Sequence, residues 1–274
     1  MNQILLVKKI IKKFLAFFSL QDNFLNYIRN KKRVILYNGI SYKFSSPNKV
    51  CDSRAKTLAT KEPETLNWID SFSVDSIFWD IGANIGIYSV YAAKSKGCIV
   101  YSFEPSVFNL EVLARNVFLN KLNDNVTILP LAVNDRMGKG DLNMSSIEIG
   151  GALSTFDKFF DDNGEKFNIL FNYPIFSISI DQIISKLKLK SPDYIKIDVD
   201  GIELLILRGG MKTLKNIKGL LIELTNEWSE RKLECEKLLI SSGLKNVTNK
   251  YSNSLTLSIR INKNCANQIW EREN

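Results

Sequence analysis

The sequence predicts an α/β protein of the Rossmann-like kind: an open, mostly parallel sheet with helices on both faces. Three observations lead there. Short apolar runs alternate with stretches of helical periodicity from Ile77 onward, the pattern of parallel strands buried on both faces. The first of these runs, "SIFWD", passes into a helix through a glycine-bearing turn, "DIGANIG" at 80–86. Acids stand where successive strands end, at Asp80, Glu104, Asp198 and Glu223, and in such sheets ligands sit beyond the carboxyl ends of the strands.

The elements follow in order. "MNQILLVKKIIKKFLAFFSL" places Ile4, Val7, Ile11, Phe14 and Phe18 at helical spacing, with Lys8, Lys9, Lys12 and Lys13 opposite. This is a basic amphipathic helix whose apolar runs are too short for a signal core or a membrane span. It packs on its own domain or a partner, makes peripheral contact with a membrane through residues 1–20, or is a cleavable targeting segment; the sequence leaves these open. "RVILYN" and "ISYKF" read as strands. "KEPETLNWIDSF" reads as a helix, with Pro63 in its first turn and Glu62 and Glu64 at its positive end. Residues 1–72 are thus an accessory region and 73–274 the main domain.

Within the main domain "IGIYSVYAAKSK" is a helix, "CIVYSFE" a strand and "SVFNLEVLARNVFLNKL" a long helix. "NVTILPLAV" reads as one strand, its Pro130 marking an edge or an end. "DQIISKL" is a helix, "DYIKIDV" a strand, and "IELLILRGGMKTL" a helix loosened by Gly209 and Gly210. "KGLLIEL" is a strand, and "SERKLECEKLLISSG" a helix closed by Gly243. Two late strands follow, near "SLTLSIR" and "NQIWER". Residues 135–178 break the rhythm with Gly138, Gly140, Gly150, Gly151 and Gly164. The segment is too long for an ordinary connection; it is an inserted hairpin or lid beside the site, or a surface elaboration with its own apolar patch.

Composition narrows the chemistry. The chain has 274 residues, 45% hydrophobic and 24% charged, a globular mix long enough to bury a core. The net charge of +8 means a Lys-rich surface or attraction to phosphate-bearing substrates, nucleic acid or anionic lipid. Cys51, Cys98, Cys235 and Cys265 form no CxxC pair, which speaks against a zinc site and for free thiols in a reducing, cytoplasmic compartment. There is no histidine, so acid–base work falls to carboxylates, Lys, Tyr, Cys or the substrate.

The turn at 80–86 is not a dinucleotide fingerprint, because Asn84 stands where GxGxxG needs its middle glycine. Asp80 would repel a pyrophosphate. It suits a cation, such as the α-amino group of a methionine moiety, with amides of the same loop taking that moiety's carboxylate. Glu104 follows about 20 residues after the loop, the separation of a ribose-binding acid. Together these residues fit S-adenosylmethionine better than NAD; the bland alternative is that they are capping and turn residues alone.

From Ile77 to Asn274 the chain resembles the FkbM-type S-adenosylmethionine-dependent methyltransferases. The likeness rests on "DIGANIG", "FEPS" at 103–106, "NVFLNKL" at 116–122, "LAVND" at 131–135 and the distinctive "KIDVDGIELLILRG" at 196–209, where Asp200 replaces the family's usual Glu. The resemblance implies a seven-stranded methyltransferase sheet with a reversed final strand, and usually O-methylation of a sugar or natural-product hydroxyl. It also implies that Asp80, Gly82, Asn84, Gly86 and Glu104 hold the cofactor, with Ala132 edging the adenine mostly by backbone.

Methyl transfer to a hydroxyl requires alignment and a base or a metal to deal with the proton. Asp198, ending the fourth strand, is the leading base candidate, and Glu203 the next catalytic candidate. With Asp200 they could instead hold Mg²⁺, or Asp200 and Glu203 could cap the helix that starts near Gly201. Glu223 is a further candidate for base or acceptor binding, and Lys196 pairs with a carboxylate or emerges from the sheet. The expected partner is a small-molecule or glycan acceptor. Two alternatives remain. A nucleic-acid methyltransferase is disfavoured: beyond the N-terminus there is no compact basic tract with interleaved aromatics, and "DVDG" replaces an "NPPY"-like motif. The other is a non-catalytic cofactor-binding scaffold.

Overall fold

The computed structural model of the protein describes residues 19–152, 154–157, 168–225, 230–252 and 265–273. Most of the expected N-terminal amphipathic helix and the expected strand near "SLTLSIR" lie outside these residues. Residues 19–29 are helical. Among the described residues no helix is long and apolar enough to cross a membrane.

An antiparallel hairpin, β1 (Lys32–Tyr37) and β2 (Ile40–Ser45), precedes helices α1 (Lys49–Lys56) and α2 (Pro63–Asp70). Then strands and helices alternate: β3 (Ile77–Ile81), α3 (Ile87–Lys96), β4 (Ile99–Phe103), α4 (Val107–Asn120) and β5 (Val126–Leu129). After an intervening segment come α5 (Ile180–Leu187), β10 (Tyr194–Ile197), α6 (Glu203–Arg208), α7 (Met211–Leu214), β11 (Gly219–Thr225), α8 (Glu230–Ser241), β12 (Leu244–Asn246), α9 (Thr248–Tyr251) and β13 (Cys265–Arg272). Gly209 and Gly210 do more than loosen the expected helix: they divide it into α6 and α7. A Cβ on Gly209 would lie 2.4 Å from the Asn134 carbonyl oxygen, so the backbones pack there without room for a side chain.

The main sheet has seven strands in the order β5-β4-β3-β10-β11-β13-β12. Strands β3, β4, β5, β10 and β11 run parallel, and β13 is antiparallel to both β11 and β12. The seven-stranded, mostly parallel sheet with a reversed final strand is therefore present. Side chains alternate across it. Phe78, Val100, Tyr194 and Leu221 face a core closed by α2, α3 and α4, where Phe72 stacks on Tyr194 at 3.7 Å and Trp68 meets Phe72 edge-on. Trp79, Ile81, Ile195, Ile197 and Ile222 face a second core closed by α5, α6 and α8.

"NVTILPLAV" is two strands rather than one. Pro130 cannot donate to a ladder, and the chain turns there from β5, an edge of the main sheet, into β6 (Ala132–Asn134). β6 joins a second sheet with β7 (Gly138–Met144), β8 (Ser154–Phe156) and β9 (Phe171–Ser179), in the order β6-β9-β7-β8. Residues 138–179 thus supply most of a mixed sheet.

Asn116 ties hairpin, helix and ligand-side loop together. Fully buried on α4, it accepts from the Ser45 amide at 2.7 Å and donates to the Ile85 carbonyl at 2.7 Å. Replacing it with Ala leaves both backbone groups buried and unsatisfied, so Asn116→Ala is expected to cost roughly 2–4 kcal/mol in urea unfolding, whereas a surface change such as Asn123→Ala leaves the midpoint unchanged.

Candidate active site at the strand ends

The turn after β3 is held by geometry that only its own residues allow. Gly82 has φ +82°, and a Cβ there would lie 2.0 Å from the Asp198 carbonyl oxygen. The loops after β3 and β10 therefore touch backbone to backbone, which requires glycine. Gly86, at φ +78°, is needed for packing: a Cβ would meet Leu113 Cδ1 at 2.2 Å. Asn84 takes a left-handed φ of 50°, which Asn tolerates better than most residues.

Asp80 does not face the cleft. Its carboxylate is buried beneath the loop, where Oδ2 accepts from the Ser89 hydroxyl at 2.5 Å. The Ser89 amide also binds it, and burial raises its pKa. Asp80 Oδ2 thus serves Ser89 in the first turn of α3, while its Oδ1 is buried with no hydrogen-bond partner among the described residues. Nor do the loop amides point outward. Those of Gly82 and Ala83 donate to the Phe103 carbonyl, that of Asn84 to Glu104 Oε2 at 2.7 Å, that of Ile85 to Asn84 Oδ1, and that of Gly86 to the Ala83 carbonyl. The expectation that these amides bind a carboxylate is not met by this geometry, because each is already satisfied within the protein.

Three clefts meet at Gly82. The widest encloses about 700 Å³ of open space and is lined by Arg54, Lys61, Glu104, Asp198, Asp200 and Glu223 among others. An apolar slot beside it is walled by Phe103, Leu131, Ala132, Val133, Phe156 and Ile202, so Ala132 lies where a flat apolar ring would sit. The third cleft, between the loop and the accessory region, is lined by Arg54, Lys61, Asn84, Tyr88, Lys196 and Asp198.

Glu104 opens onto the wide cleft. Burial pushes its pKa up to about 7, against the opposing pull of the Ser106 and Asn84 amides that it accepts. Each oxygen retains a lone pair for a hydroxyl donor.

At the other end of the cleft stands a buried charge cluster. Lys196 is 1% exposed, and its ammonium donates to Asp198 Oδ2 at 2.5 Å and lies 4.9 Å from the centre of the Tyr88 ring. Burial works against its charge, but Asp198, Asp80 and Glu62 outweigh that and raise its pKa. Burial likewise works against the Asp198 carboxylate, yet Lys196 holds it down to about 2. Glu223 goes the other way: burial, the Asp198 and Glu62 charges and a hydrogen bond to Asp198 push it up to about 8. Tyr88 donates to Glu62, whose Oε1 also pairs with Lys61 at 2.7 Å.

Asp200 accepts from the Ser154 amide at 3.0 Å, joining the second sheet to the cleft. Glu203 is buried and accepts from the Gly201 amide at 2.9 Å; it lines none of the three clefts. The magnesium cluster of Asp198, Asp200 and Glu203 does not form, because each carboxylate turns to a different protein partner. Among the described residues no group of three His, Cys, Asp or Glu side chains is arranged to hold a metal ion. Cys51, Cys98 and Cys235 are free and buried.

Arg54, Lys61, Glu62 and Tyr88 were not singled out as site residues by spacing. Glu62 reads locally as a helix-end acid and Tyr88 as a core aromatic; only packing of α2 and α3 on the sheet brings them to Lys196.

The donor set suits S-adenosylmethionine. The apolar slot would suit an adenine, Glu104 could accept hydrogen bonds from ribose hydroxyls, and the carboxylate-rich end would suit a sulfonium and an ammonium. An Ala at position 82 would force the loop off Asp198, so Gly82→Ala is expected to weaken S-adenosylmethionine binding by at least about 100-fold in calorimetry, whereas Glu203→Gln leaves it within about threefold because Glu203 lines no cleft.

A hexuronic acid methyltransferase, AglP of Haloferax volcanii, is 25% identical over 153 residues, covering 55% of this chain and 56% of that protein. The chain thus matches a little over half the length of this curated relative. Among solved structures, a precorrin-6y C5,15-methyltransferase from Geobacter metallireducens aligns over 80% of this chain and 92% of its own, at 14% identity and a TM-score of 0.45. Fibrillarin from Aeropyrum pernix with bound S-adenosyl-L-methionine aligns over 88% and 83%, at 11% identity and a TM-score of 0.44. The model of the methyltransferase FkbM domain matches residues 80–251, well over half of the sequence. The chain belongs to the FkbM family of S-adenosylmethionine-dependent methyltransferases.

Proposed function

We propose that the protein methylates a hydroxyl of a sugar, glycan or natural-product-like acceptor. The observation that carries this reading is the pairing of Glu223 and Asp198 at the end of the cleft, which gives a histidine-free site a proton acceptor of suitable strength. The relation to a hexuronic acid methyltransferase supports a sugar-like acceptor.

Bound S-adenosylmethionine supplies an electrophilic methyl carbon on a sulfonium. The protein's own work is to position both reactants and accept the hydroxyl proton. Glu104 orients the ribose. Asp198, ionised and fixed by Lys196, is too weak a base to take a proton from a sugar hydroxyl. Glu223, raised to about 8, is better matched, since a general base works best with a pKa near the working pH. Asp198 then has a positioning role: its charge sets the basicity of Glu223, and its oxygen fixes the orientation of that side chain. The two titrate as a coupled pair. The base role thus passes from Asp198, the leading candidate, to Glu223, the further one.

Incubation with S-adenosylmethionine and a panel of neutral and acidic sugars, followed by mass spectrometry, tests the reading. An added methyl on a hydroxyl supports it; transfer confined to nitrogen or carbon acceptors, or to RNA, contradicts it. A base must be unprotonated to act, so kcat/KM is expected to rise as pH passes upward through about 8 and then level off. Glu223→Gln should lower kcat by about 100-fold or more and abolish that limb. Asp198→Asn removes the charge that raises Glu223, so the limb should move to lower pH.

A further inference from the structure

We propose that Arg54, on α1 in the accessory region, binds the methionine carboxylate of S-adenosylmethionine, with Lys61 as a second and weaker cation. This rests on the reading of the clefts as the cofactor site. A carboxylate bound there needs a donor, and the amides of Gly82 through Gly86 are all satisfied internally. The acids on the wide cleft, Glu104, Asp198 and Glu223, would repel it.

Arg54 lines both the wide cleft and the cleft beside the loop. Its Nε donates to the Gly150 carbonyl at 2.7 Å, and that hydrogen bond is the only one its guanidinium makes among the described residues. Among the described residues the terminal nitrogens therefore have no partner, and they form a planar fork suited to a carboxylate. Lys61 lines the same two clefts but is already paired with Glu62.

The guanidinium is also held in place. The strap around Gly150 is fastened from three directions: Asn48 donates to the Ile149 carbonyl at 2.8 Å, Asn84 to that of Gly151 at 2.7 Å, and Asn109 accepts from the Gly150 amide at 3.0 Å. The strap thus fixes Arg54 beside the loop. Arg54 precedes the residues matched by the family model, which begin at position 80.

Calorimetric titration of the full chain with S-adenosylmethionine and with its decarboxylated analogue tests this, using wild type, Arg54→Gln and Arg54→Lys, with thermal melts to verify folding. Wild type should bind the decarboxylated compound about 10- to 100-fold more weakly than the cofactor, the effect of losing a charge-assisted hydrogen bond. Arg54→Gln should lose a similar factor for the cofactor and almost nothing for the analogue, and Arg54→Lys should recover part of the loss. Equal losses for both ligands in Arg54→Gln, or none, would overturn the assignment. The same holds if Arg54→Gln spares cofactor binding and weakens only acidic acceptors, which would make Arg54 an acceptor residue. Folded wild-type protein that binds neither compound would overturn the cofactor reading itself, a result distinct from the others.

Discussion

A lysine with almost no access to water sits in the middle of the sheet, and the site is organised around its neutralisation. An isolated ammonium at that depth costs several kcal/mol, so Lys196 persists only because carboxylates reach it. Strand register supplies one of them. Lys196 is paired with Asp80 across the β3–β10 ladder, and Asp80 with Ser102 across β3–β4. Because side chains alternate, these three form one polar stripe on a face that is otherwise apolar. Ser89 covers the stripe, donating to Asp80 and accepting from Ser102 at 2.7 Å. Asp198 follows two residues on, and α2 brings Glu62.

The accessory region therefore belongs to the chemistry as well as to the packing. Stacking of Phe72 on Tyr194 fixes the end of α2 to the sheet. The start of that helix consequently places Lys61 and Glu62 at the charge cluster, while α1 places Arg54 at the cleft. The same economy appears at the turn after β3, where the contact between Gly82 and the Asp198 carbonyl brings two strand ends as close as a backbone allows. Beside that contact, Lys196 draws the proton affinity of Asp198 downward, while burial and the Asp198 charge send that of Glu223 upward.

Much of this was legible in the sequence, and the remainder was not for identifiable reasons. Alternating apolar and amphipathic runs specify a parallel sheet, and the acids at 80, 104, 198 and 223 mark its strand ends. Asp80 reaches Ser89 of the next helix; a strand-end acid can point that way as readily as outward, and local pattern does not separate the two. Glu203 accepts from the Gly201 amide, in keeping with the helix-end alternative that its position near a helix start also offers. Pro130 stands just past the end of the edge strand β5, as an edge or end marker should, but "NVTILPLAV" reads as one strand because local pattern carries no information on which sheet the residues after it join. Arg54, Lys61, Glu62 and Tyr88 reach the site through contacts distant in sequence, which periodicity cannot reveal.

The central claim is that Lys196 sets the protonation of the carboxylates around it, and it can be measured without knowing the acceptor. The measurement is a carbon-13 NMR titration of the carboxyl groups in wild type and Lys196→Met, with Glu223 assigned through Glu223→Gln. The account predicts that Glu223 titrates at about 8 in wild type and higher once the lysine charge is gone, because removing a nearby cation favours the protonated form. Titration of Glu223 in the ordinary glutamate range, near about 4, and unmoved by the substitution would contradict it.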